Sequence, residues 1–215
     1  FAGPLSQPLT NSAAVVFSAA QELSSPIVGT GSISVAANTA LYLGSASVLD
    51  AFSGTFRLLG GASLSLPADD NPLGGASLRL FGGTVFGSAS RVTNDVFLAA
   101  GTASSWAGSA AAVTLSGGLS GSGSLAATAP GFTFAGDALS FSGSVSFCGD
   151  GSGFSGSASG SALAAYRVDS PSFTIDVASA SSPLRLGALD VANPLAVVSC
   201  ARSSTPLEFG ALGEA

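Results

Sequence analysis

Apolar and polar residues alternate along the chain in short triplets, the period of a β-strand with one buried face. The pattern appears as Ile33-Ser34-Val35, Leu41-Tyr42-Leu43, Phe56-Arg57-Leu58, Leu64-Ser65-Leu66 and Leu78-Arg79-Leu80. It returns as Val113-Thr114-Leu115, Phe132-Thr133-Phe134, Val145-Ser146-Phe147, Phe173-Thr174-Ile175-Asp176-Val177, Leu184-Arg185-Leu186 and Leu189-Asp190-Val191. The middle residues are comfortable in water, and Gly, Asn, Asp or Pro commonly punctuates the runs. The pattern predicts many short strands and almost no helix. Two segments admit a helix: Ser12 to Leu23, with Asn11 or Ser12 as its N-cap, and the alanine-rich Ser159 to Val168. For the first, the internal repeat favours strand.

The chain repeats itself. Gly29-Thr30-Gly31-Ser32-Ile33 is echoed by Gly121-Ser122-Gly123-Ser124-Leu125, and Phe52-Ser53-Gly54 by Phe141-Ser142-Gly143. Upstream, Thr10-Asn11 matches Thr93-Asn94. Offsets of roughly 90 residues suggest two modules, 10–92 and 93–180, each holding several coils of the ~20–30 residues usual for β-repeats.

The stretch Val113 to Phe147 resembles the autotransporter-associated β-strand repeat of large bacterial surface proteins. The elements that carry the likeness are Leu115-Ser116-Gly117, Gly121 to Leu125, Phe132 to Phe134, and Phe141-Ser142-Gly143. Upstream it extends through Asn71-Pro72-Leu73-Gly74, Leu78 to Leu80, Gly82-Gly83-Thr84, Arg91-Val92-Thr93-Asn94 and Val96 to Leu98. Over residues 71–147 the resemblance is clear, over 27–66 looser. It implies an all-β chain forming one right-handed parallel β-helix, a β-solenoid of roughly nine coils across 1–215, carried on a secreted or surface-displayed protein. Family members commonly end in an outer-membrane β-barrel, and no such strands are recognisable here. The chain therefore reads either as a released piece or as a short free-standing relative.

Composition agrees with a solenoid. Charged residues are 8% of the chain and apolar residues 47%, against about 25% charged in ordinary domains. Side chains on successive coils sit over one another, so repeated like charges would repel and Ser, Thr and Ala are safer outward choices. Glycine, present 29 times, suits sharp corners. Methionine is absent and Phe1 stands first, which points to removal of a leading segment, either a cleaved export signal or an excision. A net charge of −6 argues against nucleic acid, and no apolar run reaches the ~18–20 residues of a membrane helix.

Enzymatic chemistry fails on inventory. With no histidine and no lysine, Ser-His-Asp, Cys-His and Ser-Lys arrangements are excluded. No cofactor or metal is expected, since two cysteines cannot close a zinc site. Asp69-Asp70 reads as a turn, with weak calcium binding as the alternative. Gly151-Ser152-Gly153-Phe154-Ser155-Gly156 fits G-x-G-x-x-G but lacks a following helix, and reads as a surface loop. Trp106, Tyr42 and Tyr166 are read as isolated aromatics, with sugar or partner contact as the sharper option.

Cys148 and Cys200 suit an oxidising compartment and one disulfide. Coils of about 25 residues would leave them too far apart, whereas a bulged loop over 149–161 would bring them into adjacent coils. The expected function is an extracellular structural protein, self-associating head to tail through its open ends, with 1–12 and 203–215 as capping or inter-subunit segments. The alternatives are an adhesin-like passenger binding host or glycan surfaces and, more remotely, a polysaccharide-processing β-helix enzyme.

Overall fold

The structure, a computed structural model, describes residues 5, 7–87, 91–108, 112–177, 184–200 and 207–214. Every strand pairing among these is parallel, and the strands wind into a β-solenoid of about nine turns. The long sheet stacks ten strands: β3 (Gln21–Leu23), β6 (Ala40–Leu43), β8 (Ser63–Leu66), β10 (Thr84–Gly87), β13 (Ala103–Ala107), β16 (Ser124–Ala127), β18 (Ser144–Phe147), β20 (Ala165–Val168), β22 (Leu184–Val191) and β24 (Leu207–Glu214). An N-terminal sheet stacks β2 (Ala14–Phe17), β5 (Ser32–Val35), β7 (Thr55–Leu58), β9 (Ser77–Leu80), β12 (Val96–Leu98) and β15 (Leu119–Gly121). A C-terminal sheet stacks β11 (Arg91–Val92), β14 (Thr114–Leu115), β17 (Thr133–Phe134), β19 (Ser152–Ser155), β21 (Ser172–Asp176) and β23 (Val197–Cys200). A short pair, β1 (Leu9–Thr10) with β4 (Ile27–Val28), completes the first coils.

The triplets decide which side chains face inward. Leu41 and Leu43 are buried around exposed Tyr42, and Phe56 and Leu58 around exposed Arg57. Across rungs, the inward residues form ladders. In the long sheet Leu41 pairs with Leu64, then Val85, Trp106, Ala127, Phe147 and Val168. Volumes alternate along it. Ala127 separates Trp106 from Phe147, and Phe132 fills the space beside it, with ring centroids 6.0 Å from Trp106 and 6.4 Å from Phe147. Close packing of this kind leaves little void, and stability falls when it is lost.

Coil length varies more than a uniform repeat implies. Paired residues on successive rungs run from Val15 with Ile33 to Ile175 with Cys200 in separation, and most steps are close to 21 residues. The internal echo has a structural meaning, but it does not mark a whole number of coils. Gly29 bridges Phe52, and Gly121 bridges Phe141, in the same way. Gly29 and Gly121 both have positive φ, at 116° and 93°, and a Cβ at Gly54 or Gly143 would strike the Phe52 or Phe141 ring. Yet the first corner leads into β5 of the N-terminal sheet and the second into β16 of the long sheet. By register, Ile33 stacks through Phe56, Leu78 and Val96 to Leu119 rather than to Leu125. What recurs is a corner. Asn11 and Asn94 are both buried at corners, donating their amides to the carbonyl oxygens of Ser32 (3.1 Å) and Ala76 (2.7 Å) respectively.

Neither segment that admitted a helix is helical: Ser12 to Leu23 holds β2 and β3, and Ser159 to Val168 passes through a turn at 162–163 into β20. Of the expected terminal segments, Leu5 and Leu9 pack against the core, and the Ser25 hydroxyl donates to the Leu5 carbonyl at 2.9 Å. Residues 1–4, 6, 201–206 and 215 lie outside the described set. Leu207 to Glu214 forms the tenth strand of the long sheet, where Leu207 and Phe209 continue the ladders of Leu184 and Leu186.

Phe154 is the hub of the aromatic core, 5.5 Å from Phe147, 5.4 Å from Tyr166, 6.0 Å from Phe173 and 6.1 Å from Phe134. Phe154→Ala is expected to destabilise the fold by about 3–5 kcal/mol, read as a lowered midpoint in denaturant unfolding.

Candidate functional site

The residues singled out for chemistry do not converge. Asp69 and Asp70 lie in an exposed bend before a turn at 72–75, where Asn71 takes positive φ (51°) and donates its amide to the Gly74 carbonyl at 3.0 Å. The string Gly151–Gly156 is not a surface loop: it contains β19, whose Ser152, Gly153 and Phe154 are buried. Gly153 permits this, since a Cβ there would overlap the Thr174 carbonyl oxygen on the next rung. Nothing in that strand resembles a nucleotide-binding turn.

Trp106 and Tyr166 are core residues, not exposed aromatics; Tyr42 alone of the three faces solvent. The Tyr166 hydroxyl accepts a hydrogen bond from the Ser161 N–H at 3.1 Å. Burial pushes its pKa up, and the Ser161 bond opposes that shift.

Cys148 and Cys200 are both free and exposed. Because 149–161 forms a rung rather than a bulge, they do not reach adjacent coils: Cys148 follows β18, and Cys200 ends β23, two rungs beyond β19 in another sheet. The register therefore does not support a bridge between them. Burial around the Cys148 sulfur pushes its thiol pKa up, the Asp169 carboxylate adds to the rise, and the Arg167 guanidinium pulls the other way. A thiol so held carries little thiolate at neutral pH. Among the described residues, no three His, Cys, Asp or Glu side chains gather to hold a metal ion, and no helix is long and apolar enough to cross a membrane.

Two surfaces remain as candidates. The first is the C-terminal end. β24 is an eight-residue strand that, among the described residues, pairs on one side, with β22. Its neighbour β23 completes the last rung, where Val198 and Cys200 stack on buried Phe173 and Ile175. Among the described residues no rung lies above these inward positions, and Val198 is 37% exposed and Phe209 42%. Leu195 and Val197 beside them are 81% and 66% exposed. Exposed apolar side chains beside a strand edge with no described partner mark this end as a candidate contact surface.

The second is the set of charges on the outer faces. Near the C-terminus they pair with opposite sign across rungs, Arg167 3.7 Å from Asp190 and Arg185 2.9 Å from Glu208, and Arg167 also lies 2.8 Å from Asp169 on its own rung. Solvent screens these exposed pairs, so they contribute little stability. On the N-terminal sheet the pattern reverses, and Arg57 stands directly opposite Arg79. Both arginines sit at the centres of apolar triplets, but only the register shows that they face each other.

Comparison of the chain with family models, with curated proteins and with solved structures returned no match.

Without reductant, alkylation is expected to label both thiols of the native chain. Cys148 is expected to react slowly at neutral pH and a few-fold faster in Asp169→Asn, which removes the carboxylate that raises its pKa; peptide mass analysis over time reads both.

Proposed function

We propose that the chain is an extracellular structural protein, a subunit of a surface fibre built by head-to-tail contacts between β-solenoids. The observation that carries this reading is the last rung. Among the described residues, β24 pairs only with β22 along its eight residues, and Val198 and Phe209 on the last described rung are 37% and 42% exposed. A second copy stacking there would extend the parallel ladders and remove that apolar surface from water, at about 25 cal/mol per Å².

The two ends of the described solenoid differ, as a heterologous contact requires: Leu5 and Leu9 pack against the core at the first coils, and no described strand covers the last rung. A heterologous contact that does not close into a ring propagates as a filament. The scarcity of charge, the absence of histidine and lysine, and the resemblance to repeats of bacterial surface proteins all favour a secreted material over a catalyst. On this reading the protein carries no catalytic role.

A second reading, an adhesin-like passenger that holds a glycan surface, is favoured by the arginine column of the N-terminal sheet.

Electron microscopy of the concentrated chain is expected to show filaments whose long axis follows the solenoid. Phe209→Asp places a charge in the open end and is expected to leave the circular dichroism unchanged while suppressing the filaments. Monodisperse particles of the unsubstituted chain at every concentration would overturn the fibre reading.

A further inference from the structure

Stacked like charges are what a parallel solenoid is expected to avoid, yet the N-terminal sheet contains a pair. Arg57 on β7 and Arg79 on β9 are directly opposite, both exposed, at the rung spacing of roughly 4.8 Å. Elsewhere in the same column stand Ser34 and Ser120. The chain has six basic residues against twelve acidic ones, so counter-charges are abundant. Among the described residues, however, neither Arg57 nor Arg79 is in an ion pair, whereas Arg167 and Arg185 are. Asp95, the acid beside Ser77 on the adjoining rung, uses Oδ1 to accept the Gly118 N–H at 2.8 Å.

Two further features give the pair a surface. The Arg79 guanidinium lies over the Phe97 ring, 5.1 Å from its centroid, which holds it against the sheet. In the adjoining column Thr55 and Ser77 are also directly opposite, their hydroxyl oxygens 3.4 Å apart. Two cations in line with the solenoid axis thus run beside a row of hydroxyls and end at an aromatic ring.

The geometry points to a binding site for an anionic glycan, a sugar polymer bearing carboxylate or sulfate groups, lying along Arg57, Arg79 and Phe97. The site rests on the adhesin-like reading and is independent of the fibre. Guanidinium groups bind carboxylates and sulfates through paired N–H donors, and two in register suit successive anionic groups of an extended polymer. Thr55 and Ser77 offer donors and acceptors to sugar hydroxyls, and Phe97 offers an apolar face. A bound polyanion also removes the repulsion that the stacked arginines otherwise carry. Duplex nucleic acid fits poorly: it carries one charge per ~1.7 Å, far denser than two guanidinium groups one rung apart can match.

The test uses the full chain below its assembly concentration, titrated with a polyuronate, a sulfated glycan, a neutral glucan and duplex DNA at low and near-physiological salt. Binding of the polyuronate or the sulfated glycan, weakened by salt, is expected, and the stronger of the two identifies the anionic group. Arg57→Ser with Arg79→Ser is expected to weaken that binding at least tenfold. Arg91→Ser, on the C-terminal sheet, is expected to leave it unchanged. Because like charges are removed, Arg57→Ser alone is expected to melt at the same temperature or higher; a lower melting temperature would assign the pair a packing role and overturn the proposal. Unchanged binding in the double variant would remove the site while leaving the adhesin-like reading in place. No binding by the unsubstituted chain to either anionic polymer would sink both. Equal binding of DNA or of the neutral glucan would overturn the ligand class.

Discussion

Parallel pairing in register is the constraint on which the structure depends. It sets each residue roughly 4.8 Å from its counterparts above and below, so every side chain is chosen against its own kind. Inside, this demands that bulk be distributed: Trp106 and Phe147 share a ladder because Ala127 separates them and Phe132 fills the gap. Outside, it makes charge a matter of sequence along the axis. Opposite signs meet at Arg167 with Asp190 and Arg185 with Glu208, and neutral hydroxyls cover much of the rest.

Glycine serves this architecture through lack of volume at least as much as through freedom of the backbone. At Gly153 and Gly143 a side chain would collide with the neighbouring rung, at the Thr174 carbonyl and the Gly123 carbonyl respectively. Positive φ matters at other corners, such as Gly29 and Gly121, where the chain leaves one face for the next. A glycine-rich stretch in this chain can therefore be part of the packed wall, as β19 is.

That distinction explains where the sequence was legible and where it was not. The triplets identified most strands because alternation is a local property, and Leu41-Tyr42-Leu43 needs no partner to be recognised. Gly151 to Gly156 was misread because the reason for its glycines lies on β21, one coil away. The echo between 29–33 and 121–125 was real in chemistry but not in register, since similar corners serve different pairs of faces. Register also separates the cysteines and brings the arginines together, and no single segment encodes it. Trp106 stands in no apolar–polar–apolar triplet, so its burial was not legible, whereas Tyr166-Arg167-Val168 is such a triplet, obscured by the alanine-rich run that admits a helix. The tenth strand of the long sheet was hidden in LEFGALGE, where glycines interrupt the alternation that places Leu207 and Phe209 inward.

The step between paired residues, always a single coil although its length varies, also bears on assembly in time. Each rung closes a loop of similar length onto the rung before it, so the entropic cost of adding a coil stays almost level along the chain. No contact must wait for a distant segment to arrive. Such a chain can zip from a nucleus in one direction, one turn after another, and the nascent structure is always finished behind its growing tip.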